Sequence, residues 1–151
     1  MAVKPIPEGF HSVTPYLVVD DAAQLLDFIQ QAFDGKLTER MEGPNGTIAH
    51  AEVRIGDSHL MLSDARSPWK PTSSAIYLYV NDTDATYKRA LESGGTSVME
   101  PANQFYGDRN AGIQDPAGNF WWIATHVEDV APEEMKKRAE AFARKHAQAG
   151  A

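Results

Sequence analysis

The sequence predicts an α+β fold made of two tandem β-α-β-β-β repeats and a C-terminal helix. One observation is an internal repeat, because an acidic helix start at Asp21 recurs at Asp82, about 61 positions later. Another is that both repeats close in a tight turn followed by an apolar strand, at 55–62 and at 115–122. Neither copy is long enough to bury its own core, so the two should pack together, and the cleft between them is the place to look for function.

Proline, glycine and changes in composition divide the chain of 151 residues into five segments within one structural domain. These segments are an extended N-terminal arm at 1–10, the first repeat at 11–64, a linker at 65–73, the second repeat at 74–128, and the C-terminal helix and tail at 129–151.

The first repeat should begin with a strand at 11–19, in which Pro15 indicates an edge or bulge position because it has no N–H to donate. Asp21 is suited to cap the following helix, and Asp34 and Gly35 are suited to end it. The helix has one apolar face, formed by Leu25, Phe28, Ile29, Ala32 and Phe33. Three further strands are predicted at 36–41, 48–55 and 59–63, with turns at 44–46 and 56–58.

The second repeat follows the same order. A strand at 74–80 precedes a helix that Asp82 caps and that ends near Ser93. Strands at 96–100, 108–114 and 120–125 follow, with a loop at 101–107 and a type I turn at 115–118. Pro132 begins the last helix, which lies outside both repeats and should therefore cover an exposed patch of its own subunit or of a partner.

Composition excludes several classes of function. The net charge of -7 and the pI near 5.1 argue against a nucleic-acid partner, which needs clustered Lys and Arg. The sequence has no Cys, so disulfides, thiolate catalysis and iron–sulfur sites are excluded. No apolar stretch has signal-peptide or membrane-spanning length, and we therefore expect a cytoplasmic protein with no membrane partner.

The repeat pair, with its Asp-Pro-x-Gly turn and aromatic-rich last strand, resembles the vicinal oxygen chelate superfamily, which includes glyoxalase I, bleomycin-resistance proteins, extradiol dioxygenases and fosfomycin-resistance enzymes. Five phrases look like its PhnB-like branch, namely those at 15–17, 50–52, 60–64, 107–109 and 124–130. The resemblance covers about residues 10–140. It implies the glyoxalase/bleomycin-resistance fold, in which two halves of a curved mixed sheet form a cup with the helices outside.

The resemblance also implies where a metal would bind. Metal-dependent members carry four His, Glu or Gln ligands on the first and last strands of the repeats. In this chain those positions fall on Thr14, Leu62, Ala75 and Trp122, with Met61 or Ser63 as alternatives to Leu62. A divalent metal requires imidazole or carboxylate ligands, so we expect no metal at the usual superfamily position and no other cofactor.

His50 and Glu52 alternate with small apolar residues along one predicted strand, so both side chains should lie on one face of the sheet. They are candidate ligand-binding or acid–base groups. Alternatively, they form a hydrogen-bonded pair that lines a water-filled concavity.

Arg109 could anchor an anionic or carbonyl-bearing molecule through a forked hydrogen bond. Its alternative role is an ion pair with Asp108 or Glu100 at the rim of the cup. For His126, a structural role at the end of the last strand is favoured over catalysis.

The aromatic residues are more informative about a binding site than these polar candidates. The ring-bearing positions on the strand face that would otherwise hold metal ligands are Tyr16, Tyr77, Tyr79, Phe120 and Trp122. Trp69, Phe105 and Tyr106 lie in linkers that could close over the same cup. Individually these rings could simply fill a core, but as a group they favour a pocket for a planar or aromatic guest.

These features predict a protein that binds a small apolar or aromatic molecule in a metal-free cup, as the drug-sequestering, resistance-conferring branch does. Those proteins are dimers with shared ligand sites, so the resemblance implies a homodimer. The ligand-binding candidates are His50, Glu52, Arg109, Trp122, Phe120, Tyr77, Tyr16, Trp69 and Tyr106. One alternative is a glyoxalase-like lyase or isomerase, or a dioxygenase-like enzyme, with a shifted metal site around His50 and Glu52 or with metal-free proton transfer by these two residues. Another is an interaction domain whose cup is filled by its own side chains.

Overall fold

A computed structural model describes residues 2–149, which form two four-stranded sheets and three α-helices. The first repeat contains β1 (Tyr16–Val19), α1 (Ala22–Phe33), β2 (Lys36–Glu42), β3 (Ile48–Ile55) and β4 (Ser58–Asp64), with a short 3₁₀ turn at Pro44–Gly46. The second contains β5 (Ala75–Tyr79), α2 (Thr83–Glu92), β6 (Thr96–Asn103), β7 (Asp108–Gln114) and β8 (Phe120–His126), and α3 (Pro132–Ala149) follows it.

Each repeat builds one mixed sheet, and this confirms the predicted tandem β-α-β-β-β arrangement. The strand order is β1-β4-β3-β2 in the first sheet and β5-β8-β7-β6 in the second. The pairs β1–β4 and β5–β8 are parallel, and the remaining pairs are antiparallel. Within residues 2–149 no pair of strands joins the two sheets, so the repeats are held together by side-chain packing.

Two strand boundaries differ by more than one residue from the sequence-based expectation, and proline is involved in both. β1 begins only at Tyr16, after Pro15, whose carbonyl accepts the Met61 N–H at 2.9 Å but which has no N–H of its own. β6 continues through Pro101 to Asn103, where a loop was expected. Because β6 is an edge strand with an irregular register between Met99 and Ala102, it tolerates a residue that cannot donate a ladder hydrogen bond.

One continuous core lies between the helices and one face of each sheet. The apolar face of α1 packs on the first sheet, and the Phe33 ring lies 4.7 Å from the indole of Trp121 in the second sheet. α1 also packs against α2, where the Arg89 Nε donates to the Ala32 carbonyl at 3.0 Å. The largest fully buried side chains include Trp121, Phe28, Leu17, Leu25, Leu62, Ile113 and Ile123.

Both repeat helices begin in the same way, as the acidic caps predicted. Asp21 accepts the Gln24 N–H at 3.2 Å, and Asp82 accepts the Ala85 N–H at 3.1 Å. A side chain from the last strand of each repeat also binds the first residue of its helix. Asp64 accepts the Ala22 N–H at 2.9 Å, and Thr125 accepts the Thr83 N–H at 3.1 Å.

The turn that closes the second repeat is built around a buried carboxylate. Asp115 is 4% exposed and accepts hydrogen bonds from the Ala117 and Asn119 N–H groups, from the Asn119 side chain and from the Trp121 Nε1 at 2.7 Å. The side-chain oxygen of Asn119 accepts the Ser74 N–H at 2.8 Å. This turn therefore fixes both β8 and the approach to β5.

Helix α3 packs on its own subunit, which was one of the two expectations for it. Arg138 binds Glu128 through two nitrogen–oxygen contacts of 2.7 and 2.9 Å and donates to the Phe105 carbonyl at 3.1 Å. The ring of Phe142 lies 5.0 Å from that of Phe105. None of the helices within residues 2–149 combines the length and apolarity that a membrane crossing requires.

Candidate ligand-binding site

Each sheet has a second face, turned away from the helices, which we call its open face. The open face of the first sheet carries Tyr16, Val18, His50, Glu52, Met61 and Ser63. The open face of the second sheet carries Tyr77, Tyr79, Asp108, Asn110, Phe120, Trp122 and His126. No hydrogen bond or ring contact joins the two open faces within the described residues, so their side chains form two separate groups.

Aromatic rings line the open face of the second sheet. The Trp122 indole lies between the ring of Phe120, at 4.3 Å, and that of Tyr77, at 6.0 Å. Tyr77 lies 5.3 Å from Tyr79, and the two tyrosines are 38% and 61% exposed. β7 has a glycine opposite Trp122, and a Cβ on this Gly112 would lie 2.9 Å from the Phe120 ring. The glycine therefore leaves room for the Phe120 ring against β7.

A buried carboxylate organises the polar part of the same face. Asp108 is 4% exposed, and its Oδ2 accepts the Tyr77 hydroxyl at 2.6 Å and the Tyr79 hydroxyl at 3.0 Å. Its Oδ1 lies 2.8 Å from the Nδ1 of His126. Burial opposes ionisation of Asp108, but hydrogen bonds from Tyr77, His126 and Tyr79 outweigh it and hold its pKa below the usual value.

The groups that hydrogen-bond to Asp108 have raised pKa values. Burial and the hydrogen bond to Asp108 raise the pKa of Tyr77, and the same hydrogen bond raises that of Tyr79. His126 lies between two carboxylates, because its Nε2 is 2.7 Å from Asp129, and hydrogen bonds to Asp108 and Asp129 raise its pKa. These hydrogen bonds therefore favour a charged His126 imidazolium beside a charged Asp108 carboxylate.

Asn110 extends this network to the loop before β7. Its Nδ2 donates to the Tyr77 hydroxyl at 3.1 Å and to the Tyr106 hydroxyl at 2.7 Å. Gln104 donates to the Asn110 carbonyl oxygen at 3.0 Å. Tyr106 is thus fixed at the edge of the open face. Sequence reasoning missed Asp108 and Asn110 as members of the site, although their parity in β7 could have placed them beside the predicted tyrosines.

The open face of the first sheet brings His50, Glu52 and Tyr16 together. The Tyr16 hydroxyl lies 3.1 Å from the Nδ1 of His50, and the Nε2 of His50 lies 3.3 Å from Glu52. The strand register pairs Tyr16 with Met61, just as it pairs Tyr77 with Trp122. Met61, the alternative named from the sequence, is therefore the counterpart of Trp122, whereas Leu62 is fully buried against the helices.

Trp69 meets this face at a cavity of about 420 Å³. The cavity is lined by Tyr16, Val18, Ser63, Asp64, Arg66 and Trp69. Trp69 is 61% exposed, and its backbone carbonyl accepts the Arg66 N–H at 2.9 Å. The linker is therefore folded back so that its indole borders the open face of the first sheet.

Arg109 is the one predicted binding residue that the structure places elsewhere. Its guanidinium points to α2, where Nε and Nη2 bind Asp84 at 2.6 and 2.8 Å, and Nη1 donates to Asn103 at 3.2 Å. Alternation along β7 explains this, because Asp108 and Asn110 occupy the open face and Arg109 between them must face the helices. The ion-pair alternative was nearer the observation, although the partner is Asp84 and not Asp108 or Glu100.

The resemblance predicts metal ligands at four positions. In this structure these positions carry Thr14, Met61, Ala75 and Trp122, none of which has an imidazole or carboxylate group. Within residues 2–149, no group of three or more His, Cys, Asp or Glu side chains is arranged to hold a metal ion.

Comparison with known proteins decides the family. Residues 9–123 match the family model of the Glyoxalase/Bleomycin resistance protein/Dioxygenase superfamily. The chain belongs to this superfamily. The finer assignment to a PhnB-like branch stays a prediction.

Relatives and solved structures agree with this membership. An uncharacterized protein of Mycobacterium bovis is 37% identical over 136 residues, covering 83% of this chain and 90% of that protein. An uncharacterized protein of Mycobacterium tuberculosis H37Rv is also 37% identical over 136 residues, covering 83% and 80% of the two chains. The crystal structure of TioX from Micromonospora sp. ML1 has a TM-score of 0.67 at 22% identity, covering 78% of this chain and 99% of TioX.

A glyoxalase/bleomycin resistance protein/dioxygenase family enzyme from Burkholderia phytofirmans PsJN also shares the fold. Its structure has a TM-score of 0.63 at 17% identity and covers 79% of this chain and 98% of that enzyme. At such identities the likeness concerns the fold alone, because one fold carries many unrelated functions.

Proposed function

We propose that this superfamily member binds a small apolar or aromatic molecule on its open faces, without a metal at the usual superfamily position, in a sequestration or resistance role. The observation that supports the proposal most strongly is the ring cluster of Tyr77, Phe120 and Trp122 on the open face of the second sheet, in which Trp122 occupies a position that the resemblance predicts for a metal ligand. Aromatic rings with a few fixed polar groups favour planar, largely apolar guests.

Fixed polar groups around the rings support the same proposal. Tyr77, Tyr79 and Tyr106 are each held by a hydrogen bond to Asp108 or Asn110, so their rings are oriented before a ligand arrives. A preorganised site loses less conformational entropy on binding than a mobile one. His50 and Glu52 supply polar contacts on the other open face.

We further propose a homodimer, in which an open face of one copy meets an open face of its partner and completes a shared cup. The support is that each face is left uncovered within one chain, with Tyr16 45% and Tyr79 61% exposed. Light scattering coupled to size exclusion should give twice the 16.6 kDa of one chain. A mass of one chain at micromolar concentration would overturn the dimer. A cytoplasmic location likewise stays a prediction.

The binding proposal is tested by calorimetric titration of 2-naphthamide, a neutral aromatic probe, into protein dialysed against EDTA. We expect saturable binding that is unchanged by chelator. No binding up to the solubility limit of the probe, or binding that requires added Zn²⁺, Ni²⁺ or Mn²⁺, would overturn the proposal.

A second candidate is an enzyme that uses His50 and Glu52, either as ligands of a shifted metal or in proton transfer. The contact of 3.3 Å between the two side chains favours it, because an imidazole beside a carboxylate can move a proton. Stoichiometric metal in protein purified without chelator, lost in His50→Ala but kept in His11→Ala, would support this enzyme over the binding protein.

A further inference from the structure

The cavity beside the first sheet differs from the ring cluster of the second in carrying free polar groups. Two rings border it, Tyr16 from β1 and Trp69 from the linker, and Val18 also lines it. Its volume of about 420 Å³ lies in the range of small-molecule sites. A flat molecule of two fused rings therefore fits its size.

Ser63 supplies a hydroxyl that no other residue binds. The residue is 7% exposed, it lines the cavity, and its hydroxyl makes no hydrogen bond to any described residue. No side-chain polar atom in residues 2–149 is both sealed from solvent and unpaired, so this hydroxyl opens into the cavity. It is therefore free to donate a hydrogen bond to an acceptor on a ligand.

Arg66 supplies a cation without a partner. Its side chain lines the cavity, and it forms no salt bridge or side-chain hydrogen bond with the part of the chain that the structure describes. The backbone bond from Arg66 to Trp69 places the guanidinium and the indole at the same turn. The guanidinium group of an arginine can bind a carboxylate through two parallel hydrogen bonds.

The one acid in the cavity lining is already engaged. Asp64 accepts the Ala22 N–H at 2.9 Å through Oδ1 and the Ile48 N–H at 2.7 Å through Oδ2. Its charge also faces the first turn of α1, where the helix dipole is positive. Asp64 forms no salt bridge with Arg66, and both of its oxygens are engaged by backbone N–H groups.

From these contacts we infer that the cavity takes a planar aromatic carboxylate, with its ring between Tyr16 and Trp69 and its carboxylate on Arg66 and the Ser63 hydroxyl. This inference rests on the proposed function and narrows it to a ligand class. It adds Arg66 and Ser63, which the sequence did not single out, to the residues that determine specificity.

The test compares 2-naphthoate with 2-naphthamide, which have the same ring system but differ in charge. Both are titrated by calorimetry into the wild-type protein, Arg66→Gln, Ser63→Ala and the control Arg144→Gln, which removes an exposed arginine of α3. We expect wild type and the control to bind the naphthoate about tenfold more tightly than the amide, the size of one charged hydrogen bond. Arg66→Gln should lose this preference, and Ser63→Ala should weaken it.

The outcomes separate this inference from the proposed function. If both probes bind equally well, or if Arg66→Gln keeps the preference for the naphthoate, the carboxylate inference is wrong while the binding function stands. If neither probe binds the wild-type protein, both are wrong. Melting curves of the variants check folding, and the exposure of Arg66 makes a folding defect unexpected for Arg66→Gln.

Discussion

Equivalent strands of the two repeats form the two open faces, but the polar groups of the two faces make different contacts. Tyr16 and Tyr77 are counterparts, and each hydroxyl contacts the same position of the third strand, His50 in one repeat and Asn110 in the other. In the second repeat this contact belongs to a closed network around the buried Asp108. In the first repeat it ends at Glu52, and the nearby Ser63 and Arg66 are left without partners.

Under the proposed function, this difference gives the two faces different parts in ligand recognition. The polar groups of the second open face bind one another, which leaves its rings as an apolar platform. The first face has unpaired polar groups beside two rings, and these would bind the polar end of a ligand. Mutations at equivalent positions of the two repeats should therefore have unequal effects.

The largest difference is expected at the turns that close the repeats. Asp115→Ala removes the acceptor for four donors and leaves the Trp121 N–H buried without a partner. We expect a loss of about 3 kcal/mol in the free energy of unfolding, measured by urea denaturation. Asp57→Ala, in the corresponding turn of the first repeat, removes an exposed contact to Ser58. It should change the free energy of unfolding by less than about 0.5 kcal/mol. Equal losses would contradict the assigned role of Asp115.

The next difference concerns ligand binding at the counterparts Trp122 and Met61. Trp122→Ala removes the central ring of the cluster and should weaken binding of 2-naphthamide at least about tenfold by calorimetry. Met61→Ala removes a flexible side chain from the other face and should weaken it by about threefold or less. A larger effect from Met61→Ala than from Trp122→Ala would contradict the role of the ring cluster in binding this probe.

A smaller difference is expected for the two tyrosine hydroxyls. Tyr77→Phe takes a donor from the buried Asp108 and an acceptor from Asn110, so it should cost about 1 kcal/mol of unfolding free energy. Tyr16→Phe removes only the contact with His50 and should cost less. Urea denaturation of the two variants measures this contrast. The idea of a closed network in the second repeat fails if the order is reversed.

The smallest expected effect is a pH dependence at His126. Its pKa is raised in the folded state by hydrogen bonds to Asp108 and Asp129, so its stabilisation is complete below the unfolded-state pKa of about 6.5 and disappears as pH rises through the folded-state pKa. The pKa of Asp108 is lowered, so its own contribution is lost only in acid, as pH falls below about 3.9.

His126→Gln should therefore destabilise the protein more at about pH 6 than at about pH 9, measured by denaturant unfolding. His11→Gln is the matched control, since the His11 side chain makes no hydrogen bond within the described residues. A destabilisation by His126→Gln that grows with rising pH would contradict the ion pair with Asp108.

Sequence reasoning reached the fold because the repeat, the helix caps and the alternating strands are local patterns. Asp21 and Asp82 cap their helices as predicted, and Tyr77 and Trp122 lie on one face as their parity required. Sequence reasoning failed for side chains whose direction depends on which face of a strand the helices cover. Arg109 follows a glycine and an aspartate that suggested a rim, yet alternation in β7 turns it to α2.

Local sequence patterns also could not predict the polar network around Asp108 or the cavity beside the first sheet. Asp108 and His126 are 18 positions apart in sequence and meet only because β7 pairs with β8. Arg66 and Ser63 become neighbours of Tyr16 only through the parallel pairing of β1 with β4 and the fold of the linker. Sequence spacing carries no signal for such tertiary contacts.

The central claim, that small aromatic molecules bind the open faces, is tested most directly by the three tryptophan indole N–H signals in an NMR titration with 2-naphthamide. Trp122 and Trp69 lie on open faces, whereas the indole of Trp121 is fully buried on the helix side and bound to Asp115. We expect the Trp122 signal to move most, Trp69 to move less, and Trp121 to stay in place. Saturable movement of Trp121 alone, or no movement of any of the three, would contradict the claim.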